Sequence, residues 1–286
     1  MTFIRALLLL ALTLSPQWVL AQRAPALERI KAAKSITVAF AEDAVPFSYR
    51  GENREPAGYS VDLCQRVVKH IQGQLKLEHL AIDWVGASTP ERLKLVAAGK
   101  ADLECGVTTH TFARQEQLDF SLPVFIDGGG VMVAKGSPIV AMPGLEGRKI
   151  AVVRGTTTEL RLAEALKKRS IVAEVVPMAD RAGAFAALDR GEVDAFAGDR
   201  AVLFGLALST RTRTPEWRLL NVDISFEPYA FALPRGDPAL RLAVNRALAA
   251  IYRSGAIEDV YQRWLGRFGA PQPLLQAMYL LNQIPE

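Results

Sequence analysis

The feature of this sequence that most limits its possible folds is an internal echo. Leu95-Val96-Ala97-Ala98-Gly99-Lys100-Ala101-Asp102-Leu103-Glu104-Cys105-Gly106 can be laid over Ala187-Leu188-Asp189-Arg190-Gly191-Glu192-Val193-Asp194-Ala195-Phe196-Ala197-Gly198. Each copy reads as an amphipathic helix ended by glycine in the left-handed cap position, a short turn and an apolar strand. The regions upstream match as well. Ile36 to Phe40 and Lys149 to Val153 are short β-rich runs. The first leads through Gly58 into a helix expected over 60–71, the second through Gly155 into one expected over 158–168. Any α/β protein repeats some of this grammar, but repetition at both ends of each half predicts two α/β lobes with largely parallel sheets.

Between the halves runs Pro123-Val124-Phe125-Ile126-Asp127-Gly128-Gly129-Gly130-Val131-Met132-Val133, an apolar run interrupted by three glycines, and a second extended stretch covers 225–233. A long helix is expected over 238–268. If it packs back on the first lobe, two crossings join the lobes and the glycines offer torsions for a hinge. The expected boundaries are 22–127 for the first part of lobe one, 128–226 for lobe two, 227–268 for the return and 269–286 for a tail. In the tail, Leu274, Leu275, Met278, Tyr279, Leu280 and Leu281 favour a short helix docked on a lobe.

The chain begins with Arg5, the apolar run Ala6 to Leu14, and Val19-Leu20-Ala21 as a cleavage signature. Ser15, Pro16 and Gln17 interrupt the run before the roughly 20 apolar residues a membrane span needs. Residues 1–21 therefore read as a signal peptide cleaved near Ala21. The net charge of +4 becomes +3 without Arg5 and forms no basic stripe, so a nucleic-acid partner is not expected. In an oxidising compartment Cys64 and Cys105 are equally compatible with a disulfide and with buried free thiols.

In open α/β sheets, ligands bind beyond the carboxyl ends of the strands. That rule selects Val107, Thr108, Thr109 and Arg114 after the first echoed strand, and Asp199 after the second. A planar guanidinium suits an α-carboxylate, and an α-ammonium out of water needs an anionic acceptor. Arg114 and Asp199 are thus complementary to an amino-acid zwitterion. Two helix starts add donors: Thr156 with Glu159 at capping-box spacing before Thr157, and Thr89 as N-cap ahead of Pro90, Glu91 and Arg92. The scattered His70, His79 and His110 form no metal pair or catalytic triad, and no cofactor or metal site is expected.

Gly58-Tyr59-Ser60-Val61-Asp62-Leu63, the block Glu104 to Thr109 through Arg114 to Phe120-Ser121, and Gly155-Thr156-Thr157-Thr158-Glu159 resemble family 3 bacterial extracellular solute-binding proteins. Val45 to Tyr49 and Glu104-Cys105-Gly106 resemble in particular its periplasmic glutamate/aspartate-binding branch. The resemblance implies a type II periplasmic binding fold, monomeric, that delivers an amino acid to the membrane permease subunits of an ABC transporter. It puts Arg114, Thr109 and Thr157 on the α-carboxylate, Asp199 on the α-ammonium, and Thr89 and Arg92 on a side-chain carboxylate. Ala41 stands where that branch has arginine, Arg181 where it has histidine, and Val107 where it has serine. Arg92 and Arg181 would preserve acidic-ligand recognition with different geometry, or the changes mark another polar ligand. The rival readings are a periplasmic dehydratase using Glu104 or His110, and a sensing partner of a membrane receptor.

Overall fold

A computed structural model describes residues 25–209 and 217–286; the expected signal peptide and its cleavage point lie outside the described residues. The first half runs α1 (Ala26–Ala33), β1 (Ser35–Phe40), β2 (Asp43–Ala44), β3 (Ser48–Arg50), β4 (Pro56–Ala57), α2 (Tyr59–Gln74), β5 (Ala81–Gly86), α3 (Thr89–Ala97), β6 (Leu103–Glu104), α4 (Phe112–Gln115) and β7 (Leu118–Ala134). The second half contains β8 (Lys149–Val153), α5 (Thr157–Lys168), β9 (Glu174–Met178), α6 (Arg181–Asp189), β10 (Ala195–Asp199), α7 (Arg200–Ser209), β11 (Trp217–Leu219) and β12 (Ser225–Pro234). Helices α8 (Pro238–Arg253), α9 (Ala256–Leu265) and α10 (Pro273–Leu281) close the chain.

The main sheet has the order β5-β1-β6-β12-β7-β10-β8-β9, with β11 also on β7. Two parallel sets, β5-β1-β6 and β10-β8-β9, flank the antiparallel pair β12-β7. This is the two-lobed arrangement with two crossovers. Both echoes form as read: α3 and α6 each end at a left-handed glycine, Gly99 at φ 60° and Gly191 at φ 71°. The strands that follow differ, five residues in β10 against two in β6. The first turns away at Gly106, where a Cβ would meet the Glu104 carboxylate at 2.4 Å.

The three crossover glycines do not interrupt β7, which is continuous over 17 residues. Their role here is close approach: a Cβ at Gly129 would meet Ser225 Oγ at 2.3 Å, and one at Gly130 would meet Arg200 Cγ at 2.7 Å. Register shifts opposite Pro123 loosen the β7-β12 ladder. The carbonyls there are taken by side chains, Pro123 O by the Tyr252 hydroxyl and Val124 O by the Tyr59 hydroxyl, each at 2.7 Å.

The single helix expected over 238–268 is two helices. Gly255 at φ 74° breaks it, a backbone state that ends one helix and starts the next on a new axis. Helix α8 does pack on α2 and α1. Asp237 caps α8 through Leu240 N at 2.9 Å and also accepts from Ala26 N at 2.8 Å, tying the start of the described chain to the return helix. The tail forms a short docked helix, α10, with the Tyr279 hydroxyl 2.9 Å from that of Tyr59. Among the described residues no helix is long and apolar enough to cross a membrane. Cys64 and Cys105 are disulfide-bonded, stapling α2 to the end of β6 across 41 residues.

Candidate functional site

Strand β10 delivers Asp199 to the junction of the lobes, in register with Gly129 of β7. Its buried carboxylate accepts from the Thr158 hydroxyl at 3.0 Å. Desolvation and the neighbouring Glu227 raise its pKa, and Arg181 opposes the rise. Thr156 caps α5 by accepting from Glu159 N at 3.3 Å, while the Glu159 carboxylate returns to Gly155 N at 2.7 Å. The hydroxyl oxygen of Thr157, in the first turn, lies 3.1 Å from that of Thr109 of the other lobe.

From the lobe-one side, Thr111 caps the short helix α4 and sets Arg114, whose Nη1 donates to the Thr109 carbonyl at 2.7 Å. Among the described residues no carboxylate lies within ion-pair distance of Arg114, although Glu104, Glu227 and Asp199 are close enough to offset part of the pKa depression that burial causes. The Val107 side chain is buried, so this position offers only backbone groups to a ligand.

The two arginines assigned to the far end each have an acidic partner in the protein. Arg92 is 1% exposed; its Nε donates to Glu104 at 2.7 Å, Nη1 to Ala87 O at 2.9 Å and Nη2 to Thr89 Oγ1 at 3.3 Å. The N-cap of α3 is therefore Ser88 rather than Thr89, with Ser88 N donating to Glu91 at 3.1 Å. Arg181 opens α6 and reaches across to Asp43 of the other lobe, with its backbone N at 2.6 Å and its Nη1 at 3.1 Å. Ala41 is buried, and its N–H donates to Ser48 Oγ at 3.0 Å.

One residue escaped the sequence reading. Glu227 of β12 is 0% exposed and sits directly opposite Asp127 of β7. Thr157 donates to its Oε2 at 2.7 Å, Thr109 donates to the same oxygen, and Ser225 donates to Oε1 at 2.5 Å. Cross-strand partners share a face and side chains repeat every second residue, so Asp199, Ser225, Asp127, Glu227 and Tyr229 all face one way across the three central strands. The signal was an acid on each crossover, Asp127 and Glu227, at positions that only pairing register brings together.

The Asp127 carboxyl is enclosed by the Gly128 and Ala201 N–H groups at 2.8 and 3.0 Å and by the Tyr229 hydroxyl at 3.2 Å. Desolvation and the charge of Asp199 lift its pKa to about 7. A cavity of about 330 Å³ opens on this junction, lined by Thr109, His110, Phe112, Thr157, Arg161 and Glu227 among others. Arg181 and Asp199 line a separate void of about 10 Å³, space for one water at most. His110 stacks on Phe120 at 4.5 Å, and burial lowers its pKa. Among the described residues no three acidic, cysteine or histidine side chains form a metal-binding group.

Residues 36–267 match the family described as bacterial extracellular solute-binding proteins, family 3. An L-glutamate/L-aspartate-binding protein of Pseudomonas aeruginosa is 31% identical over 83% of this chain and 79% of its own length. A glutamate/aspartate import solute-binding protein of Escherichia coli is 28% identical over 83% and 78% respectively. Among solved structures, an ancestral amino acid-binding protein described as a precursor of cyclohexadienyl dehydratase superposes with a TM-score of 0.71 at 26% identity, covering 84% of this chain and 99% of that one.

Proposed function

From its place among the bacterial extracellular solute-binding proteins of family 3, to which this chain belongs, we propose that it is the periplasmic, monomeric capture protein of an amino-acid importer. It closes its two lobes on one α-amino acid, with glutamate and aspartate favoured, and hands the ligand to membrane permease subunits. The observation that carries this reading is a buried arginine, Arg114, with no ion-pair partner among the described residues, near enough to the buried carboxylate of Asp199 at the interlobe junction to feel its charge. Arg114 takes the α-carboxylate and Asp199 the α-ammonium. Thr89, Arg92, Thr156 and Val107 shape the seat around them. The preference for an acidic side chain rests on the two relatives and on Arg181. Among the described residues the Arg181 Nε and Nη2 have no hydrogen-bond partner, so its fork retains donors for a second carboxylate.

The likeness to a dehydratase precursor gives the enzymatic alternative an observation of its own. Against it, Glu104 is bound to Arg92 and His110 is stacked on Phe120, so neither is poised as a general acid. We therefore read the chain as a non-enzyme. Thermal shift with the common amino acids tests the ligand class, since a ligand well above its Kd raises the melting temperature. Calorimetry then tests the seats: Arg114→Ala and Asp199→Ala each weaken binding at least about thirtyfold. Near-native affinity in both variants, or conversion of the ligand to product, defeats the reading.

A further inference from the structure

We propose that Glu227 is a second acidic partner of the ligand's α-ammonium, acting beside Asp199, with Thr109 and Thr157 serving that ammonium as acceptors. The inference rests on the amino-acid-binding reading above and reassigns the two threonines from the α-carboxylate to the amine.

The argument begins with protons. A threonine hydroxyl has one proton to donate and lone pairs to accept with, and a carboxylate can only accept. Thr109 and Thr157 both direct their protons at Glu227 Oε2, the latter at 2.7 Å. Their oxygens, 3.1 Å apart, keep only lone pairs for anything that arrives. Together with the Glu227 carboxylate, these two side chains form a patch that offers acceptors and no donor, the complement of an –NH3+ group, while the backbone N–H groups that open α5 stay available to a carboxylate.

Charge points the same way. A buried carboxylate is costly unless a cation pairs with it. Among the described residues Glu227 and Asp199 have no cation within ion-pair distance, whereas the nearby Glu104 and Asp43 have Arg92 at 2.7 Å and Arg181 at 3.1 Å. The protein supplies counter-ions to Glu104 and Asp43 and leaves Glu227 and Asp199 to the ligand. The 330 Å³ cavity lined by Thr109, Thr157 and Glu227 gives an amine a route to the patch.

The test compares L-glutamate with glutarate, which keeps both carboxylates and lacks the amine, on the mature protein by calorimetry and competition. In Glu227→Gln the glutamate-to-glutarate affinity ratio falls at least about tenfold, the scale of a hydrogen bond to a charged group. An unchanged ratio overturns the proposal, and so does tighter glutamate binding, which would make Glu227 a competitor of the ligand's own carboxylate. Thr157→Val is the second variant, at a half-buried helix start. The proposal expects the ratio to fall there too, and an equal loss for both ligands would return Thr157 to the carboxylate. If another amino acid is the one that binds, the same ratio is read with that amino acid and its deamino analogue. Failure of every amino acid to bind defeats the functional reading itself, an outcome separate from a wild-type amine preference that survives in the variants.

Discussion

Arg92 and Arg181 are both buried arginines beside the candidate cleft, both expected from sequence to meet a ligand's side chain, and their partners differ. Every bond of Arg92 goes to its own lobe: Glu104, Ala87 and Thr89. Arg181 instead spans the lobes to Asp43, with side chains 9% and 22% exposed against 1% and 0% for the Arg92–Glu104 pair. A cation satisfied inside one lobe acts on the stability of that lobe. A cation paired across the cleft acts on the equilibrium between open and closed forms, and its partner can be exchanged when a ligand arrives. One residue type with one expected role thus divides between a pair sealed within a lobe and a pair that spans the cleft.

The sharpest way to break this contrast is to remove one half of the sealed pair. Glu104→Ala leaves Arg92 buried and unpaired, and the free energy of unfolding in urea falls by about 3 to 5 kcal/mol; a loss below about 1 kcal/mol would mean the pair is not structural. Next in size is the staple beside it. Reduction of Cys64–Cys105, whose partners are 41 residues apart, lowers stability by about 2 to 4 kcal/mol, read as a shift of the urea midpoint.

For the cross-lobe pair the expected order of effects reverses. Asp43 is 22% exposed and keeps the backbone N–H of residue 181 as a donor, so Arg181→Met costs less stability than Glu104→Ala, yet weakens glutamate about tenfold in calorimetry, a loss of about 1.4 kcal/mol. Equal losses of stability in Arg181→Met and Glu104→Ala would erase the distinction.

The last effect is spread over pH. Asp127 has a folded pKa of about 7, well above an ordinary carboxyl, so between about pH 4 and 7 the native state holds a proton that the unfolded chain has released. Its contribution is therefore fully present below about pH 4 and is lost as pH rises toward 7. Asp199, raised in the same direction, adds to the slope, while Glu227 and Tyr229 complete the surroundings. Stability should fall by at most about 1.4 kcal/mol per pH unit for this one proton. Asp127→Asn should flatten the decline in a series of melts.

Much of the fold was legible because its determinants are local. Gly99 and Gly191 marked helix ends by a backbone state that other residues adopt with strain, and both stand there in the structure. Thr156 announced the start of α5 by spacing alone. Less local features were misread: Ser88 displaced Thr89 as cap by one residue, and Gly255 split a helix whose apolar pattern continues across it. Arg114 and Asp199 were selected because strand ends in such sheets are where ligands bind. Glu227 was missed because it lies within a strand, and its meaning comes from the partners that register sets against it.

The amino-acid sequence by itself determined the repeated helix-glycine-strand units, their parallel sheets and the residues at their ends, since period and cap chemistry act over a few residues. Tertiary structure alone decided which acid each arginine meets, that the two cysteines join, and that Asp127, Asp199 and Glu227 share one face. Those outcomes depend on pairing between segments up to 138 residues apart, where every acid and every arginine looks alike until the register of the crossovers chooses among them.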